Sequence, residues 1–137
     1  MIIVGGSGLL TRNPLTYVWG ALGSGLGNNI AYALLYVADG SLYLAGSFTD
    51  VGGSGADYIA KWDGTSWTAL ASVTALNAAI TAPQAMAQGA NGLLYVVGPF
   101  TNAGGVANAD GLATWDGSTW GALSTGLTGG GTPQGIA

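Results

Sequence analysis

The sequence predicts an all-β fold assembled from repeated four-stranded antiparallel units, and three observations predict it. First, the stretch Asp39-Gly-Ser-Leu-Tyr-Leu-Ala-Gly-Ser-Phe-Thr-Asp-Val-Gly-Gly returns as Asn91-Gly-Leu-Leu-Tyr-Val-Val-Gly-Pro-Phe-Thr-Asn-Ala-Gly-Gly. Second, Trp62-Asp-Gly-Thr-Ser-Trp-Thr-Ala-Leu returns as Trp115-Asp-Gly-Ser-Thr-Trp-Gly-Ala-Leu. A unit of this size cannot bury an apolar face alone, so it stacks on its copies. Third, the 26 glycines interrupt short runs of Leu, Val, Tyr and Trp, as turns do, and do not accompany the charge expected of a disordered chain.

Each element follows from this punctuation. Leu42-Tyr-Leu-Ala and Leu93-Leu-Tyr-Val-Val are apolar runs entered through Asp39-Gly40 and Asn91-Gly92, dipeptides that favour two-residue hairpins because they tolerate positive φ. Each run is therefore a second strand, preceded by a first strand at Ala31 to Tyr36 or Gln84 to Gln88. A long Phe-Thr-x-x-Gly-Gly loop follows. Tyr58-Ile-Ala-Lys-Trp and Gly111-Leu-Ala-Thr-Trp form the third strand, and Asp63-Gly64 or Asp116-Gly117 turns the chain into a fourth at Trp67 or Trp120. The period is 52 between Tyr43 and Tyr95 but 53 between Trp62 and Trp115, which places a one-residue insertion in the loop between strands two and three.

A degenerate third copy straddles the chain ends. Val4-Gly-Gly-Ser matches Leu44-Ala-Gly-Ser, Trp19-Gly-Ala-Leu matches Trp67-Thr-Ala-Leu, and Arg12 answers Lys61 on the third strand of a unit with a trimmed loop. Pro133-Gln-Gly-Ile-Ala137 matches Pro83-Gln-Ala-Met-Ala87, a first strand. The expected units are thus 133–137 with 1–22, then 30–70, then 82–123, within one repeat domain over 1–137. A C-terminal strand pairing beside the N-terminal one would seal a ring and hide its edges.

The pattern Gly-Ser-Phe-Thr-x-x-Gly-Gly…Ala-x-Trp-Asp-Gly-x-x-Trp-x-x-Leu resembles the kelch-like β-propeller blade, in the variant common in repetitive bacterial extracellular proteins. The resemblance is strong over 30–123 and weaker for the straddling copy. The glycine doublet departs from the pattern as Ala45-Gly46 and Val97-Gly98, and is whole only at Gly5-Gly6. The resemblance implies a β-propeller of four-stranded antiparallel blades, about three per chain. Propellers generally use four to eight blades, so the expectation is a homodimer closing a six-bladed ring, with a fragment of a longer propeller or a ring of three chains as alternatives. An extracellular or viral-surface setting fits best.

Composition narrows the function. With Arg12 and Lys61 as its cations and a formal charge of −4, the chain lacks the clustered basic surface that nucleic acid requires. The longest apolar run, Ile30 to Ala38, has nine residues against the roughly 20 of a spanning helix, so membrane insertion is not expected. Nor does the N-terminus read as a signal peptide. The absence of Cys, His and Glu removes thiolate, imidazole and paired-Glu chemistry, so no cofactor or metal site is expected. An Asp-based hydrolase is the enzyme alternative.

Asp50, Asp57, Asn102, Asn108 and Asp110 fall in the long loops, where a ligand would meet the protein, although Asp57 and Asp110 recur in register as loop-fixing residues do. Trp19, Trp62, Trp67, Trp115 and Trp120 could stack sugars, but their recurrence favours packing between units. The expected role is a non-catalytic structural or binding module presenting loops to a protein or glycan. A lectin-like ring with one pocket per blade is the other binding reading.

Overall fold

Alternating apolar runs and glycine turns fold here into three antiparallel sheets with almost no helix. The computed structural model describes residues 2–5, 8–12, 19–26, 30–70 and 83–123. The first sheet has strands β1 (Ile2–Gly5), β2 (Gly8–Arg12) and β3 (Trp19–Ala21) in that order. The second is four-stranded, β4 (Ala31–Tyr36), β5 (Leu42–Gly46), β6 (Ile59–Trp62) and β7 (Trp67–Ala69). The third repeats it with β8 (Ala85–Gln88), β9 (Leu94–Val97), β10 (Leu112–Trp115) and β11 (Trp120–Ala122). The expected closing strand, Pro133 to Ala137, lies outside the described residues.

Side-chain alternation explains why the sheets stack. Leu42 and Leu44 on β5 point to one side, into a cluster with Leu22, Leu26, Phe48, Val51 and Trp67. Tyr43 and Ala45 point to the other, joining Ile59, Leu70, Met86, Leu94, Val96 and Trp120. Both faces of β5 are therefore buried, which is why it reads as a continuous apolar run and not as an alternating strand. Each cluster is the seam between two successive sheets.

A tryptophan fastens each seam. Trp67 Nε1 donates to the Leu22 carbonyl at 3.2 Å, and Trp120 Nε1 donates to the Leu70 carbonyl at 3.3 Å. In both cases the outer strand of one sheet reaches the residue just past the outer strand of the sheet before it. Burying an indole of this size contributes about 4–6 kcal/mol in gross area terms, and its N–H satisfies a carbonyl that would otherwise be shut away from water. Each indole also tilts against its cross-strand neighbour, Trp62 with Trp67 at 5.4 Å and Trp115 with Trp120 at 5.2 Å between ring centres.

Three local expectations are corrected. The hairpins β4–β5 and β8–β9 are not two-residue turns: Gly40 N–H donates to Val37 and Val37 N–H to Ser41, with Gly92, Gly89 and Leu93 repeating the pattern. Three residues form the loop, because Asp39 and Asn91 spend their side chains on the N–H two residues ahead and only the glycines, at φ 86 and 81, take the left-handed position. Tyr58 does not open the third strand; it stands at φ 63, where the next unit has Gly111 at φ 69, and β6 begins at Ile59. Arg12 does not answer Lys61: it pairs with Trp19, the place Trp62 holds opposite Trp67, one register position away.

The first sheet has no described counterpart of the first strands β4 and β8 of the other two. On the side of β4 that turns toward it, Leu34 and Tyr36 are exposed, at 38% and 67%, and beyond the register shift between Ala31 and Ala33 it is Ala31 that packs on the cluster shared with the first sheet. The opposite side of β4, with Ala33 and Leu35, packs on the core shared with the third sheet.

The Gly-Gly of the long loop has a packing reason. Gly52, at φ 61, lies flat on Trp67, so that a Cβ there would sit 2.5 Å from the indole Cδ1, and Gly104, at φ 64, is pressed on Trp120 in the same way. Gly105 has the same left-handed backbone, φ 77, with open space around it. Gly105→Ala is expected to cost about 1–2 kcal/mol for backbone strain, and Gly104→Ala about 1–3 kcal/mol beyond that for overpacking. Urea unfolding midpoints compare the two, and equal losses would contradict the contact.

Candidate functional site

Antiparallel connectivity puts the long loops at one end of the sheets and the tight turns at the other. The long loops are built alike. Phe48 and Phe100 are buried anchors, and Val51 and Ala103 are fully buried, each donating its N–H to an equally buried Ala56 or Ala109 at 3.1 Å. Between these anchors Asp50 and Asn102 adopt left-handed backbone at φ 55 and 49, which short polar side chains tolerate.

The predicted site residues hold these loops in shape. Asp57 Oδ1 accepts the Asp50 N–H at 2.9 Å, and Asp110 Oδ1 accepts the Asn102 N–H at 2.7 Å. Asp50 Oδ1 in turn accepts the Gly55 N–H at 2.6 Å. The extra residue of the second loop falls between Gly105 and Ala109, where Asn108 takes φ 65 and is exposed. The structure thus brings Asp50 to Asp57 and Asn102 to Asp110, each pair within its own loop. Among the described residues no group of three or more His, Cys, Asp or Glu could hold a metal ion.

At the other end the turn aspartates are clamped more tightly. Asp63 Oδ1 accepts from the Thr65 and Ser66 N–H groups, and Asp116 Oδ1 from those of Ser118 and Thr119, with the four hydroxyls adding further bonds. The Ser66 N–H chiefly holds the Asp63 carboxyl well below its ordinary range, and the Thr119 N–H does the same for Asp116. The Ser41 N–H, with Lys61 nearby at 3.8 Å, lowers Asp39. Lys61 Nζ also lies 5.7 Å from the centre of the Tyr43 ring, in its own sheet.

Sequence reasoning missed one feature at this end. A cleft of about 390 Å³ opens where the first and second sheets meet, lined by Ala21, Leu22, Tyr36, Gly40, Leu42, Trp62 and Gly64. Tyr36 is largely exposed and Trp62 half-buried, so two aromatic rings are available to a ligand. Gln88 occupies the position of Tyr36 in the third sheet, while Trp115 there is buried. The departure of Tyr36 from the repeat was the signal available in the sequence. A comparison with protein-family models finds none that matches the chain, and a comparison with curated proteins finds no match.

The clamped turns make acid stability testable. A carboxyl lowered in the fold takes up its proton more readily in the unfolded chain, so its stabilisation is full above about pH 4 and is lost as the pH falls below that. Asp63→Asn with Asp116→Asn keeps the accepting oxygen but removes the titration. Denaturant midpoints measured from pH 6 to 2.5 should fall less steeply for the double variant than for the parent. Parallel profiles would contradict this assignment.

Proposed function

We propose that the chain is a kelch-like β-propeller module without catalytic activity, a structural or binding scaffold that presents its loops to a protein or glycan partner. One observation carries the reading. All six acidic residues, Asp39, Asp50, Asp57, Asp63, Asp110 and Asp116, accept a backbone N–H within their own turn or loop. Each carboxylate thereby shapes its own turn or loop, a role that needs no exchange of protons with a substrate. In this reading each sheet is a blade. Two chains of three blades close a six-bladed ring that hides sheet edges one chain leaves open.

The cleft favours a second binding reading, a lectin-like site in which Tyr36 and Trp62 stack a sugar ring. Because Gln88 replaces Tyr36 in the next sheet, such a site would occur once per chain and not once per blade. A glycan array separates the two. Stoichiometric sugar binding that weakens about tenfold or more in Trp62→Ala supports the lectin; silence on the array with saturable binding to a defined protein supports the scaffold. A hydrolase and oxidase screen on metal-supplemented protein should be blank, and turnover abolished by Asp57→Asn or Asp110→Asn would overturn the non-catalytic reading.

A further inference from the structure

The row of residues that floors the cleft between the first and second sheets recurs one seam along, with two differences. In the second sheet Tyr36 pairs with Leu42, and Leu42 with Trp62. The row that repeats it in the third sheet is Gln88, Leu94 and Trp115. Leu42 and Leu94 are buried alike, at 1% and 2%. The ends of the row depart from each other. Tyr36 stands where Gln88 stands, and Trp62 is half-buried where Trp115 is buried.

What Gln88 does in its sheet identifies what the cleft lacks. Its side-chain Nε2 donates to the Gly92 carbonyl at 3.2 Å. Gly40 is the counterpart of Gly92: the two hairpins make the same backbone bonds, and the glycines share left-handed backbone at φ 86 and 81. The Gly40 carbonyl is therefore presented to its sheet as the Gly92 carbonyl is. Tyr36 has no amide to offer, and among the described residues no donor meets that carbonyl. Gly40 lines the cleft beside Tyr36 and Trp62. An exposed acceptor thus accompanies two aromatic rings, and the third sheet shows the group that fits it, a carboxamide N–H.

We propose that the cleft binds an acetamido sugar, its pyranose face on Trp62 and Tyr36 and its amide N–H donating to the Gly40 carbonyl. An amide N–H suits this place better than a hydroxyl. It spends its one hydrogen on the carbonyl, whereas a hydroxyl oxygen brings two lone pairs that require donors of their own. Ala21, Leu22 and Leu42, which also line the cleft, have no side-chain donor and would instead cover the acetyl methyl. The inference deepens the lectin-like reading and rests on it.

Protein-observed NMR titration with N,N′-diacetylchitobiose and with cellobiose tests it, since the two differ by an acetamido group in place of a hydroxyl on each ring. The acetamido disaccharide should bind about five- to tenfold more tightly. Tyr36→Ala removes a ring and leaves the carbonyl free, so both sugars should weaken about tenfold while the preference between them is kept. Tyr36→Gln transfers the arrangement of Gln88 into the second sheet. Its amide should occupy the Gly40 carbonyl, and the preference should vanish. Because Tyr36 is 67% exposed, both variants should keep the parent's near-ultraviolet circular dichroism, which reports the Trp67 and Trp120 seams.

The outcomes separate the ligand class from the site. Equal affinity for the two disaccharides, or a preference that survives in Tyr36→Gln, would overturn the amide assignment and leave the lectin-like reading standing. Binding of neither sugar by the folded parent would remove the lectin-like reading itself, and this inference with it.

Discussion

The structure depends on one recurring hydrogen bond, from the indole of an outer strand to the carbonyl that ends the sheet before it. Stacked sheets share a seam that is otherwise apolar and non-directional, and apolar packing alone leaves their rotation loosely fixed. Trp67 on Leu22 and Trp120 on Leu70 supply direction at the rim of each seam. The same ring meets the backbone of Gly52 or Gly104 at Cδ1, next to the donating nitrogen, so the long loop is fastened to the seam and not merely suspended from two strands. Loop position, sheet angle and core therefore form one coupled arrangement.

The acidic residues play the corresponding part at the turns. In a chain with so few charges, each carboxylate binds the backbone of its own hairpin or loop. Asp63 and Asp116 hold their turns with backbone and hydroxyl donors together. That economy of charge agrees with a scaffold whose binding, on the proposed reading, comes from loop shape and exposed rings and not from an electrostatic field.

Much of this architecture was legible from the repeat. The first strand expected at Ala31 to Tyr36 is β4 residue for residue, because alternation and the following Asp-Gly bound it on both sides. The pairing of Asp57 with Asp50 and of Asp110 with Asn102 follows the expected loop-fixing pattern. The turn length was not legible, since an Asp-Gly pair suits both two- and three-residue loops and the Asp39 side chain decides between them. Arg12 was misplaced because a trimmed loop leaves similarity to fix the register, and a single-residue slip costs nothing in similarity while reversing every face. The Tyr36 and Trp62 cleft needed coordinates, as 26 residues separate rings that the fold places on one rim.

The extra residue after Gly105 has a consequence for how such a chain diversifies. It falls at 106–107, because Asn108 at φ 65 repeats the left-handed place of Gly55 at φ 68, while the anchors on either side, Ala103 and Ala109, keep the bond that Val51 and Ala56 make in the shorter version. Length at the tip is thereby decoupled from the sheets beneath it. Segments grafted at 106–107 could lengthen, change charge or acquire new recognition chemistry while the foundation beneath them stays as it is, the same division of labour by which antibody-like scaffolds vary their tips over a constant base.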